Sequence, residues 1–198
     1  MPAAPSLRTP FLIVNPKAYL GGAETLRLAL LTDELAVEFD IDVIFTAQHA
    51  YLVEVAKHTT HLLVTAQHMD PITPGRGMGH TLPEALVEAG AGAVVLNHAE
   101  FPLTLAQLDA TMRRAEEVGM ATIVCADTER QCRAVAMTRS DKSHTRMSRD
   151  DGGEFAGVEE ILAVHVPDSG LELRMMHKLQ RGPIGRSRQC RVKPAQRG

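Results

Sequence analysis

The sequence predicts an α/β protein built on a parallel sheet, on three observations. Short apolar runs recur along the chain, and a helical segment follows each. The two together repeat roughly every 25 residues, the length of a βα unit. Five such units succeed one another between Phe11 and Met137, a pattern that calls for parallel strands joined by right-handed crossovers. Two architectures fit, an open doubly wound sheet and a closed (β/α)8 barrel. A nucleotide-binding doubly wound sheet carries Gly-x-Gly-x-x-Gly after its first strand. Here that turn reads NPKAYLGG, which favours the barrel.

The elements follow in order. Phe11 to Val14 make the first strand, stopped by Pro16, which cannot donate to a ladder. Leu28, Leu31, Leu35 and Phe39 recur at helical spacing and predict a stripe that packs on the sheet. Ile41 to Phe45 form the second strand, ending in Thr46-Ala47-Gln48, and Tyr51 to His58 a short helix. Leu62 to Val64 form the third strand, ending in Thr65-Ala66-Gln67-His68. The loop Pro71 to His80 holds two prolines and three glycines, too many for an element interior, and long loops on rigid scaffolds tend to be functional. Thr81 with Glu84 has the spacing of a capping box, opening a helix that closes at Gly90. Val94 to Leu96 form a fourth strand, apolar throughout and so buried on both faces. Thr104 with Gln107 repeats the cap, and Leu105, Leu108, Met112 and Ala115 supply the buried stripe of a helix closed by Gly119. Ala121 to Cys125 form the fifth strand, and Thr128 with Gln131 caps a helix reaching about Met137.

With 198 residues of which 44% are apolar, the chain suits one domain with a real core, and 4% aromatic content without tryptophan makes that core aliphatic. A net charge of −3 gives no overall pull toward nucleic acid or membrane. Cys125, Cys132 and Cys190 have no Cys-x-x-Cys spacing, so neither a disulfide framework nor a zinc site is indicated; Cys125 reads as core. The spacings among His49, His58, His61 and His68 give no shared metal face of the His-Glu-x-x-His kind. Of these four, only His68 is given a pocket role. MPAAPSLRTP lacks the basic head and apolar core of a signal peptide, so a reducing cytoplasm is expected.

The chain changes character near Thr138. Residues 1–138 hold 9 Lys and Arg against 16 Asp and Glu, whereas residues 139–198 hold 12 against 8. This divides the chain into βα units one to five, residues 1–138, and a divergent or replaced segment, residues 139–198, expected to be partly disordered. Arg181 to Arg197 carries six basic residues and no acidic one, but no aromatic is interleaved for base stacking, so a solvated tail is the reading.

Ligands in α/β folds gather at the C-terminal ends of the strands. Collected there are Asn15 and Lys17 from strand one, Gln67 and His68 from strand three, and Asn97, His98 and Glu100 from strand four. An ammonium, an imidazole and amide donors around one pocket suit an anionic, carbonyl-bearing substrate whose enolate must be stabilised.

The segments NPK, TAQHMDPITPGRGMGHTLPEALVEAGAGAVVLNHAE and TIVCAD resemble triose-phosphate isomerase, most closely its archaeal-like and sugar-phosphate relatives, over about residues 11–138. The resemblance implies a TIM barrel and a cytoplasmic, cofactor-free aldose–ketose isomerase of glycolysis and gluconeogenesis. Such an enzyme interconverts glyceraldehyde 3-phosphate and dihydroxyacetone phosphate through an enediolate. Alternatives within the resemblance are a tetrulose-phosphate isomerase and a catalytically inactive family member. By the same resemblance catalysis falls to His98, Lys17, Asn15 and Glu100, and substrate binding to Asn15, Lys17 and Gln67. Lys17 meets phosphate and developing negative charge. His98 matches the histidine that polarises the carbonyl as a neutral imidazole, for which this enzyme is itself the standing example. Glu100 matches the acidic residue that supports the lysine. The partners implied are a small sugar phosphate and further copies of the chain, engaged through the loop Pro71–His80, with no metal, nucleic acid or membrane.

Three features depart from the family. Pro16 stands where an aromatic is common and Met78 where a threonine is. The family's sixth strand ends in E-P-x-E-L-I-G-x-G, whose first glutamate is the general base. At the corresponding place, near Arg146, this chain reads SDKSHTRMSRDDGGEF. The general base is therefore unassigned. Ile161 to Val166 is a candidate displaced strand, and Asp168 beyond it a replacement base of little weight.

Overall fold

The computed structural model describes residues 7–8, 11–138, 158–165 and 175–179. Five strands, β1 (Phe11–Val14), β2 (Asp42–Ala47), β3 (Leu62–Ala66), β4 (Ala93–Leu96) and β5 (Ala121–Ala126), run parallel and pair in chain order. Helices α1 (Gly22–Glu38), α2 (Leu52–His58), α3 (Pro83–Glu88), α4 (Leu105–Glu117) and α5 (Glu129–Thr138) alternate with them, a 3-10 turn over His49–Tyr51 preceding α2. This is the predicted run of five βα units, an incomplete (β/α)8 barrel.

The strands are apolar because both of their faces are covered. Along β4, Val94 and Leu96 join Phe45, Val64 and Val124 in the core under the helices. Ala93 and Val95 alternate with them and join Ile44, Ile123 and Cys125 on the opposite face. That second face is the inward side of a curling sheet, and Cys125 is core, as read from the sequence.

Beyond β5 the order continues with β6 (Val158–His165) and β7 (Met175–Leu179), both antiparallel to their neighbours. The displaced strand expected over Ile161 to Val166 is thus found as β6, and Ile123 lies opposite its Val164. A (β/α)8 barrel places a parallel strand there, so the family pattern is left after the fifth strand. Arg146, Asp168, Cys190 and the basic stretch Arg181 to Arg197 lie outside the described residues. Among the described residues no helix is long and apolar enough to cross a membrane.

Three expectations are corrected, in α1, α3 and α4. The face of α1 that meets the sheet is Thr25, Ala29, Thr32 and Ala36. Of the predicted stripe only Leu28 packs against the core, while Leu31, Leu35 and Phe39 are 52%, 40% and 67% exposed. Small residues let the helix axis approach the sheet, and that geometry outweighs the leucine count. The second correction concerns α3. Its N-cap is Leu82, without a side-chain bond, because Thr81 gives its N–H to Asp70 Oδ2 at 2.7 Å and Glu84 pairs with Arg114. The other caps form: Thr104 and Gln107 make the reciprocal box, and Gln131 donates its backbone N–H to Thr128 Oγ1 at 3.1 Å. In α4, Leu108, Met112 and Ala115 are buried as predicted, whereas Leu105 is exposed. Gly90 closes α3 at φ +90°, where an added Cβ would stand 2.5 Å from Ala56 Cβ, so only glycine suits both the turn and the α2–α3 approach.

Candidate active site

The turns after β1, β2, β3 and β4 enclose a cavity of about 600 Å³ whose lining includes Asn15, Lys17, Gln67, His68, His98 and Glu100. The sequence reading placed these six together, and the fold does so because parallel strands deliver all their C-terminal turns to one end of the sheet.

The turn after β1 is built around Asn15. Its Oδ1 accepts the backbone N–H of Lys17 at 2.9 Å and the hydroxyl of Thr46 at 2.7 Å, an Asx-type turn fastened to β2. Lys17 is thereby held at φ 52°, a left-handed conformation uncommon for a lysine and of the kind that clusters at functional sites. Gln67 Nε2 donates to the Lys17 carbonyl at 3.1 Å, closing the turn from β3. Nζ of Lys17 lies 2.9 Å from Oε1 of Glu100.

After β4 the chain turns through Asn97, also left-handed at φ 58°. Asn97 is buried, donates to the Cys125 carbonyl at 2.8 Å and accepts the Leu103 N–H at 2.9 Å. These bonds give it the job of fixing the turn, and it is not among the lining residues. His98, next in line, accepts the Glu100 N–H on Nδ1 at 3.1 Å. An Nδ1 that accepts carries no proton, so in that tautomer the proton of the neutral ring sits on Nε2. A ring arranged in this way can donate to a carbonyl oxygen and stabilise the oxyanion that develops there.

Among the further lining residues, four with ionisable or aromatic side chains were not assigned to the pocket from the sequence: His49, Asp70, His80 and Phe101. His49 follows β2 at the C-terminal end of the sheet, the one signal that could have found it. Asp70 and Thr81 close the base of the predicted loop. Asp70 N–H donates to the Thr81 carbonyl at 3.0 Å, and its carboxylate accepts the Thr81 N–H. That carboxylate also meets His68 Nε2 and His80 Nδ1, each at 3.4 Å. Burial pushes the Asp70 carboxyl up, but the Thr81 N–H, His80 and His68 together outweigh it and hold it below the ordinary 3.8. Arg114, nearly buried, ties the loop to α3 and α4 through Ile72 O at 2.9 Å and Glu84, while Met78 at the tip is fully exposed. His58 and His61 lie apart from the cavity, beside Glu54 and Asp33.

A parallel β/α sheet with an imidazole-bearing pocket at the C-terminal ends of its strands defines an incomplete barrel-type protein. Residues 10–148 match the family model described as triosephosphate isomerase, and the chain belongs to the triosephosphate isomerase family. Similar proteins carrying that name come from Methanobacterium bryantii, 34% identical over 135 residues, Methanoculleus marisnigri, 36% over 139, and Methanopyrus kandleri, 38% over 131. These matches cover 67%, 67% and 65% of this chain and 59%, 60% and 58% of the respective relatives. The chain thus spans about three fifths of the curated relatives' length.

Proposed function

We propose that the cavity binds a small sugar phosphate and catalyses an aldose–ketose isomerisation, with glyceraldehyde 3-phosphate and dihydroxyacetone phosphate as the substrate pair. The observation that carries this reading is the Lys17–Glu100–His98 arrangement. An ammonium held by a carboxylate and an imidazole proton on Nε2 line one cavity at the C-terminal ends of parallel strands, where sites on such sheets sit. Lys17 binds the anion, Asn15 and Gln67 fix the Lys17 turn, Glu100 orients the ammonium, and His98 polarises the carbonyl so that an enediolate can form. A cavity of about 600 Å³ has room for three- or four-carbon phosphates, so a tetrulose phosphate is the alternative substrate.

A second reading is a pocket that binds without turning over. It is favoured by the sequence near Arg146, which has no counterpart of E-P-x-E-L-I-G. Titration of the purified chain with dihydroxyacetone phosphate and with a tetrulose phosphate, followed by NMR, tests the binding that both readings share. Saturable shifts that Lys17→Ala removes are expected. Absence of binding by a folded chain contradicts both.

The remaining assignments belong to the same proposal. Residues 1–138 form the site-bearing unit and residues 139–198 a separate divergent segment. The loop Pro71–His80, held at its base and exposed at its tip, makes a contact between copies of the chain in a homo-oligomer, and the protein works in the cytoplasm on small molecules.

A further inference from the structure

We propose that His68, oriented by Asp70, is the proton-abstracting base of this pocket. The proposal rests on the sugar-phosphate reading above and assigns its proton-abstracting group among the described residues. Isomerisation needs a base beside the carbon next to the carbonyl. The carboxylates among the described lining residues are Glu100 and Asp70, and both are engaged. Glu100 holds the Lys17 ammonium at 2.9 Å, and Asp70 accepts from Thr81 and meets two imidazoles. Carboxylates stabilised in this way are weak proton acceptors.

His68 has the opposite setting. Its ring lines the cavity, largely buried, with its centroid 4.1 Å from that of Phe101 and the planes tilted by 44°. Nε2 donates to Asp70 Oδ1 at 3.4 Å, which leaves the lone pair on Nδ1. The backbone beneath the ring is held by His49, whose Nε2 donates to the His68 carbonyl at 2.8 Å. An imidazole oriented by a carboxylate that is itself fixed is the arrangement of a general base. Burial lowers the His68 pKa from its ordinary 6.5, Asp70 pulls it back up and His49 pushes it down, so the ring is neutral at neutral pH and has a lone pair with which to take a proton. The titratable and charged groups around it are Asp70, His80 through Asp70, His49, and across the cavity Lys17, His98 and Glu100.

The step balances within the pocket. Nδ1 of His68 takes a proton from the hydroxyl-bearing carbon next to the carbonyl. The C–H electron pair becomes the carbon–carbon double bond, and the carbonyl π electrons pass to oxygen, where the Nε2–H of His98 stabilises the enediolate. Nε2 of His98 gives its proton to that oxygen and takes the hydroxyl proton of the first carbon in exchange; the His68 imidazolium then returns its proton to the neighbouring carbon as the electrons left on the first oxygen close the new carbonyl. Asp70 is a positioning residue in this scheme.

The test is deuterium exchange into dihydroxyacetone phosphate by the 198-residue chain in heavy water, followed by proton NMR, with binding read from ligand line broadening. The wild type is expected to exchange the C1 proton above the buffer rate. His68→Gln and His68→Asn, each confirmed folded by circular dichroism, are expected to bind within about threefold of the wild type and to lose roughly 100-fold or more of the exchange rate. The wild-type rate is expected to fall with pH only below 6.5. Asp70→Asn removes the anion that raises the His68 pKa and is expected to move that fall to lower pH, which a merely structural Asp70 would not do. Wild-type exchange rates in both His68 variants overturn the proposal, as does a wild type that binds the phosphate without exchanging it. A folded wild type that does not bind overturns the sugar-phosphate reading as well.

Discussion

Nζ of Lys17 lies 2.9 Å from Oε1 of Glu100, an ion pair that joins the turn after β1 to the turn after β4 across 83 residues of sequence. The Lys17 side chain is 27% exposed and the Glu100 side chain 64%, so the pair contributes little to folding, at most about 1 kcal/mol. Its importance lies in where it holds the ammonium. Glu100→Gln is expected to leave the unfolding midpoint in urea almost unchanged. Lys17→Ala is expected to weaken dihydroxyacetone phosphate binding about 10-fold or more, the worth of a charge-assisted hydrogen bond. Paired urea melts and NMR titrations of the two variants check this, and a large stability loss in Glu100→Gln would contradict it.

Asn97 is a residue of the fold more than of the chemistry. Asn97→Ala leaves the Cys125 carbonyl and the Leu103 N–H without their partner and sets an alanine at φ 58°. Each unsatisfied group costs about 1–3 kcal/mol. The variant is expected to lose more than about 2 kcal/mol of stability in urea unfolding, while its folded fraction still binds the phosphate. Unchanged stability would contradict the role given to Asn97.

The Asp70–Thr81 clasp carries a pH dependence of definite sign. The Asp70 carboxyl titrates below its ordinary 3.8 in the folded chain. Its stabilising contribution is therefore complete above 3.8, and it is lost as the pH falls through the lower, folded value. The Thr81 amide resonance is expected to hold still from neutral pH down to 3.8 as far as Asp70 is concerned, and to shift upfield only below it. A titration of nitrogen–proton spectra checks this; an Asp70-dependent midpoint above 3.8 would contradict the clasp.

The buried face of α1 can be tested directly. Leu35→Lys, on the exposed side, is expected to change stability by no more than about 0.5 kcal/mol. Ala29→Leu, at a position with 0% exposure, is expected to cost about 1–3 kcal/mol by overpacking against the sheet. The reverse order in thermal melts would restore the leucine stripe as the packing face.

That helix shows where the sequence misled. Leu28, Leu31, Leu35 and Phe39 gave the stronger periodic signal, yet Thr25, Ala29, Thr32 and Ala36 lie against the sheet, because contact distance favours small side chains and a hydropathy stripe does not encode distance. Thr81 and Glu84 had capping spacing, but Asp70 and Arg114 took their groups, and neither competitor is identifiable from a local window. The strands were legible because two-sided burial leaves an unbroken apolar run, as in Ala93 to Leu96. The same regularity made Asn15, Lys17, Gln67, His68, His98 and Glu100 legible, since each follows a strand. His80 and Asp70 come to the cavity only through loop closure, and Phe101 through the turn beyond His98, so no strand-end rule finds them.

The most direct measurement of the central claim is an isomerase assay of the purified chain with glyceraldehyde 3-phosphate, run beside Lys17→Ala and His98→Gln. Turnover by the wild type is expected, with a loss of roughly 100-fold or more in each variant, the scale on which a positioned electrostatic group acts. Wild-type turnover that both variants retain in full would contradict it.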